Sequence, residues 1–153
     1  LRALVQGRVA FIVVGGVAAV LQGAPLNTFD LDVVHSRDPE NIERLLAALE
    51  QLDAHYRIQP ERRLPPNASH LVTRGHQLLM TRYGALGLLG TIGRGRDYEQ
   101  LYPLSVEIAV ADDVRPRVLS LQALIETKQE SGRDKDLAVL PLLRRTLEEA
   151  AGR

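Results

Sequence analysis

Two aspartates one residue apart, Asp30-Leu31-Asp32, head a segment to His35 that alternates polar and apolar residues and reads as a β-strand. Side chains two apart on a strand share a face at ~6.6 Å along the chain, so both carboxylates lean into one space while Leu31 and Val33 turn toward the core. At ~6 Å and an effective dielectric of ~20, the two charges repel by about 2.8 kcal/mol. Something must offset that repulsion. Hard divalent cations do so through oxygen ligands, and Mg²⁺ typically takes one or two protein carboxylates together with substrate phosphates. Upstream, the β-branched run Ala10–Val14 reads as a buried strand that closes in Gly15-Gly16, and a short helix follows over Val17–Gln22 until Gly23 and Pro25 stop it. A paired-glycine turn feeding a helix exposes backbone N–H groups where a phosphate can approach without meeting a Cβ.

The elements that must position these groups follow from periodicity. Asp38-Pro39 is an N-cap with proline at the first helical position, and Ile42, Leu45, Leu46, Leu49 and Leu52 continue at helical spacing. Pro60–Asn67 is a proline-rich loop. Gln77–Arg82 and Ala85–Leu89 read as two strands around Tyr83-Gly84, and Leu104–Val110 and Arg115–Leu119 as two more parted by Asp112-Asp113. Ser120 caps a helix over Leu121–Glu130 that Gly132 closes. A last helix is expected over Lys135–Glu149, with Leu137, Leu140, Leu143 and Leu147 inward. Strands interleaved with helices predict the α+β class, a mixed β-sheet flanked by helices with further helices at the C-terminal end.

The 153 residues are 45% hydrophobic, 25% charged and 4% aromatic, which excludes collagen-like, low-complexity and disordered chains. At roughly 150 residues per domain, one domain over 1–153 is expected. The absence of cysteine excludes a disulfide framework, a thiolate zinc site and a cysteine nucleophile, and it suits a reducing, cytoplasmic setting. No apolar run reaches the ~18 residues of a membrane span, and the start shows no signal-peptide pattern, so a soluble chain without a membrane partner is expected. Basic and acidic residues balance at 19 each, which gives no whole-molecule attraction to nucleic acid or lipid. The distribution is uneven: from Arg57 to Arg96 seven arginines face the single acid Glu61, compatible with an electropositive wall beside an electronegative site.

Other chemistry finds no support. His35 falls on the strand face opposite Asp30 and Asp32, and His55, His70 and His76 lack zinc-ligand spacing. No serine lies in a nucleophile elbow. Lys128 shares an apolar stripe with Leu121 and Ile125, from which it can reach a phosphate or pair with Asp136, while Arg133 and Asp136 suit a helix-start pair. Arg94 and Arg96, set among glycines, suit a mobile loop able to meet phosphate or RNA.

Gly15-Gly16, the short helix, then Thr28-x-Asp30-x-Asp32 together resemble the signature of the polymerase-beta-type nucleotidyltransferase superfamily. The closest branch is the small bacterial group of abortive-infection toxin and minimal antibiotic nucleotidyltransferases. Val14–Gly23, Asn41–Leu46, Leu124–Lys128 and Gly132–Asp136 extend the resemblance. It implies the nucleotidyltransferase fold, Mg²⁺ on Asp30 and Asp32 as the catalytic pair, and NTP phosphates on Gly15 and Gly16. Thr28 would support the turn and Lys128 assist with phosphate charge. The acceptor is left open among a small molecule, RNA and protein, with an antitoxin or a second copy of the chain as further partners. One departure bears on turnover. Where the family carries a third carboxylate, the matching stretch Thr81–Leu89 has Gly87; Glu107 is the other acid to weigh. The alternative reading is a catalytically degraded member that binds nucleotide, RNA or protein within a toxin–antitoxin pair.

Overall fold

The computed structural model describes residues 1–152. Its first half holds α1 (Arg2–Gln6), β1 (Phe11–Val14), α2 (Gly15–Leu21), β2 (Leu31–His35), α3 (Pro39–Gln51), β3 (His55–Tyr56) and α4 (Ala68–Leu71). Then come β4 (His76–Thr81), β5 (Gly84–Leu89), α5 (Tyr98–Leu101), β6 (Ser105–Glu107) and β7 (Arg117–Leu119). Three helices, α6 (Leu121–Ser131), α7 (Asp134–Ala138) and α8 (Leu140–Ala151), end the chain. The strands form a seven-stranded mixed sheet in the order β3-β4-β5-β2-β1-β7-β6. This is the expected α+β arrangement. No helix among the described residues is long and apolar enough to cross a membrane.

The sheet centre is apolar on both faces because both are covered. Phe11, Ile12, Val13 and Val14 are all buried, as are Val33 and Val34, the continuous pattern of a strand with helices above and below. Ile42, Leu45 and Leu49 of α3 join the core, as do Leu124 of α6 and Leu143 of α8. Cover ends at β4. Leu78 and Met80 are 48% and 37% exposed while Leu79 between them is fully buried, so one face of the sheet lies bare beyond β5.

The structure corrects four expectations. β2 begins at Leu31, leaving Asp30 on the approach to the strand. The helix expected from Val17 starts at Gly15, so the paired glycines form its first turn. The strands expected over Leu104–Val110 and Arg115–Leu119 shrink to three residues each, because Ala111 and Val114 bridge tightly around Asp112-Asp113. The single last helix divides at Val139. Pro141 lacks the N–H that would continue the ladder and its ring crowds the preceding turn, and Leu137 is 43% exposed rather than inward.

His35 is buried at 1% exposure, with one ring nitrogen on the Leu71 carbonyl at 2.8 Å and Nδ1 unpartnered among the described residues. Burial holds its pKa below the usual 6.5, with the charge of Arg37 adding to the effect and the Leu71 bond opposing it. Above 6.5 this depressed histidine costs no proton, and its contribution to stability is lost as pH falls from there through the folded-state value. Urea unfolding across pH 7 to 5 is therefore expected to show falling stability that is flattened in His35→Phe.

Candidate functional site

β1 and β2 run antiparallel with Val14 opposite Asp32, so the chain leaving β1 turns directly over the Asp32 carboxylate. Gly15 makes that turn at φ +67°, where a Cβ would sit 3.1 Å from Asp32 Oδ2. On Gly16 a Cβ would meet Thr28 Oγ1 at 2.7 Å. Both glycines are thus required by close approach, the first to the acid and the second to the threonine that precedes it. Thr28 packs behind the turn, and its hydroxyl reaches the Asp30 carbonyl at 3.5 Å.

Asp32, Gly15 and Gly16 share the wall of a cleft of about 520 Å³. Lys128 of α6, Arg133 at the N-cap of α7 and Lys135 of α7 line the same cleft, and Leu89, Ile92 and Leu124 supply apolar lining. Burial raises the Asp32 pKa above its ordinary value, and Asp30 raises it further, against the opposing charges of Arg57, His76 and Lys135. Asp30 has a half-exposed side chain lying outside the cleft wall, with Arg57 Nη1 3.6 Å from its Oδ2.

Lys128 lies in the cleft wall but has a protein partner, Asp136 Oδ1 at 3.2 Å. Asp136 is 5% exposed and also accepts from Ser131 Oγ at 2.6 Å and Arg133 Nε at 2.8 Å. Burial pushes its carboxyl up, but the bonds from Ser131 and Arg133 and the charge of Lys128 outweigh this and hold it at about 2. The network welds α6 to α7 and aims Lys128. Asp136→Asn is expected to cost about 2 kcal/mol in urea unfolding at pH 7, because the partly buried Lys128 loses its counter-charge while the exposed Arg133 is screened by solvent. That contribution is present above the ordinary carboxyl value of 3.8 and disappears as pH falls through about 2.

Gly87 pairs in register with Asp32 across the parallel β2–β5 ladder. A side chain there would therefore share the Asp32 face, but a Cβ on Gly87 would overlap Asp32 Oδ1. The acid leans into the space the glycine leaves. Glu107 sits on the edge strand β6, separated from β2 by β1 and β7, and cannot serve in its place. Among the described residues no group of three or more His, Asp or Glu could hold a metal ion. Two carboxylates match the usual share of one Mg²⁺ whose other ligands are phosphates and water.

Three residues of this cleft escape linear reading. His76 reaches it only through the register of β4 on β5, with Nε2 3.1 Å from the Thr91 carbonyl. Lys135 and Arg133 reach it from α7 and its N-cap, which the close of α6 at Gly132 brings to the cleft. The arginine-rich segment behaves differently from expectation. Arg96 is fastened to Glu130 and Glu126 of α6, Arg63 pairs with Asp53, and Arg74 donates to the Gly95 carbonyl. Of the paired arginines in that segment, Arg57 is the one beside Asp30.

No protein-family model matches the chain, and no curated protein does. Two solved structures are similar over nearly all of it. One is a provisionally assigned nucleotidyltransferase, TM1012 from Thermotoga maritima, at 17% identity and TM-score 0.56, covering 97% of this chain and 88% of that one. The other is the lincosamide antibiotic adenylyltransferase LnuA in its lincomycin-bound form, at 15% identity and TM-score 0.56, covering 92% and 89%. The likeness establishes the nucleotidyltransferase fold.

Proposed function

We propose that the chain is an Mg²⁺-dependent nucleotidyltransferase that moves a nucleotidyl group from an NTP to an acceptor hydroxyl. The observation that carries this reading is the seating of the Gly15-Gly16 turn on Asp32 in a cleft also lined by Lys128, Arg133 and Lys135. Asp30 and Asp32 would hold the metal, which when bound supplies positive charge to the triphosphate. Gly15 and Gly16 offer backbone N–H groups to phosphate oxygens, Thr28 braces that turn, and Lys128, steadied by Asp136, faces the phosphates. The apolar lining of Leu89, Ile92 and Leu124 excludes water and takes the less polar part of the donor. The acceptor oxygen attacks the α-phosphorus in line as the bond to the β-phosphate breaks, pyrophosphate leaves and the hydroxyl proton passes to water, a transfer that rests on positioning and electrostatics. LnuA acts on a lincosamide antibiotic, which supports a small molecule as the acceptor.

Calorimetric titration with Mg-NTP is expected to give saturable heat that Asp30→Asn removes. Heat no greater than the buffer blank in the unmodified protein overturns the reading.

Gly87 favours a second reading, a nucleotide binder without turnover. Saturable Mg-NTP binding by the natural chain with no transfer of labelled NTP supports this one; transfer of label by the natural chain rejects it.

A further inference from the structure

Arg57 follows β3 and is tied down from its far side. Its backbone N–H donates to the Leu78 carbonyl at 3.1 Å and its Nε to the Leu79 carbonyl at 2.9 Å, so the guanidinium is held against β4 rather than free in solvent. From there Nη1 lies 3.6 Å from Asp30 Oδ2. A direct charge-assisted bond would be about 2.7–2.9 Å. The charge therefore neighbours Asp30 without saturating its lone pairs, which stay available to a metal ion. Nη2 is buried and has no hydrogen-bond partner among the described residues, and Asp30 is the carboxylate paired with this guanidinium while its charge also reaches Asp32.

The rest of the site explains why such a charge is needed. Asp30 and Asp32 repel each other, and a second metal ion, the usual remedy in phosphoryl-transfer centres, would require a further acid. Its position is held by Gly87, and the space beside that glycine is already filled by the Asp32 carboxylate. A guanidinium is charged at every accessible pH. That of Arg57 is anchored through Nε by the Leu79 carbonyl, and its backbone by the Leu78 carbonyl of the same strand.

We propose that Arg57 is a positioning residue that stands in for a second metal ion, a fixed positive charge that lets the Asp30–Asp32 pair operate with one divalent cation. The inference rests on the metal role proposed above for that pair. It carries a consequence for affinity. A fixed charge beside Asp30 opposes an incoming divalent ion, so the metal alone binds weakly and phosphate must accompany it.

The test uses Mn²⁺ alone, without nucleotide, titrated into the full chain at pH 8 with free ion followed by electron paramagnetic resonance. One Mn²⁺ per chain is expected. Arg57→Gln should bind it about tenfold more tightly because the opposing charge is gone, whereas Arg57→Lys, which keeps the charge, should stay near the natural chain. Arg57→Met, which retains the apolar stem, carries the same expectation as Arg57→Gln if the latter does not fold. A purely structural role would lower thermal stability and leave Mn²⁺ affinity unmoved. Unchanged or weaker binding in the charge-free variants, or two ions per natural chain, overturns the role of Arg57 alone. Absence of Mn²⁺ binding in every variant, the natural chain included, overturns the metal site and this inference with it.

Discussion

Asp32→Asn is expected to weaken metal-supported nucleotide binding by ~100-fold or more, since loss of even an outer partner of a metal ligand typically costs 10–100-fold, and at the same time to raise the melting temperature. The second half follows from the environment of the acid. Burial, and then the neighbouring charge of Asp30, raise the Asp32 carboxyl above its ordinary 3.8. Between 3.8 and that raised value the folded protein binds more protons than the unfolded chain, so stability declines as pH climbs through this window, and the penalty persists at neutral pH. Asparagine has nearly the same shape and no charge, and removes the penalty. Calorimetry and thermal melts on one preparation check both halves. A variant that melts lower while still binding Mg-NTP would make Asp32 a structural residue.

Gly87→Ala is expected to be nearly as damaging, though it adds a single methyl group. The added Cβ would overlap Asp32 Oδ1, and the acid is itself wedged under Gly15, where a Cβ would lie only 3.1 Å from Oδ2. The carboxylate must rotate out of the cleft or the strands must part. Overpacking of this kind costs about 1–3 kcal/mol, and the displaced acid should reduce Mn²⁺ affinity at least tenfold, comparable to losing a partner of a ligand. Urea unfolding and Mn²⁺ titration separate the two effects. Full affinity in Gly87→Ala would show that Asp32 does not depend on the glycine notch. The same overlap means that Gly87→Asp would do more than add an acid, because Asp32 must first yield its place.

The glycine turn and Asp32 were legible in the linear chain because each rests on short-range geometry at a strand end. The shared strand face expected for Asp30 was not, since β2 starts one residue later and Asp30 lies outside the cleft wall. α3 was plain, its apolar stripe running from Ile42 to Leu49 on one side. What stayed hidden depends on pairing between distant segments. His76 enters the cleft through strand register, and Gly87 is seen to lie beside Asp32 only once β5 is aligned with β2. The local count of seven arginines pointed to a basic wall, yet the structure spends most of those charges on nearby acids and carbonyls. The basic lining comes instead from Lys128, which its place on the apolar stripe of α6 had singled out, with Arg133, read only as a helix-start pair, and Lys135, which nothing in the sequence marked. The break at Val139 was misjudged because leucine periodicity continues across it, although Pro141 marks the point at which the backbone cannot follow.

The most direct measurement is a crystal of the full chain grown with Mn²⁺ and a non-hydrolysable NTP, with data collected at the manganese edge. A single anomalous peak between the Asp30 and Asp32 carboxylates, with triphosphate density against the Gly15-Gly16 backbone, is the predicted result. Manganese elsewhere, or nucleotide bound away from that turn, would contradict the account.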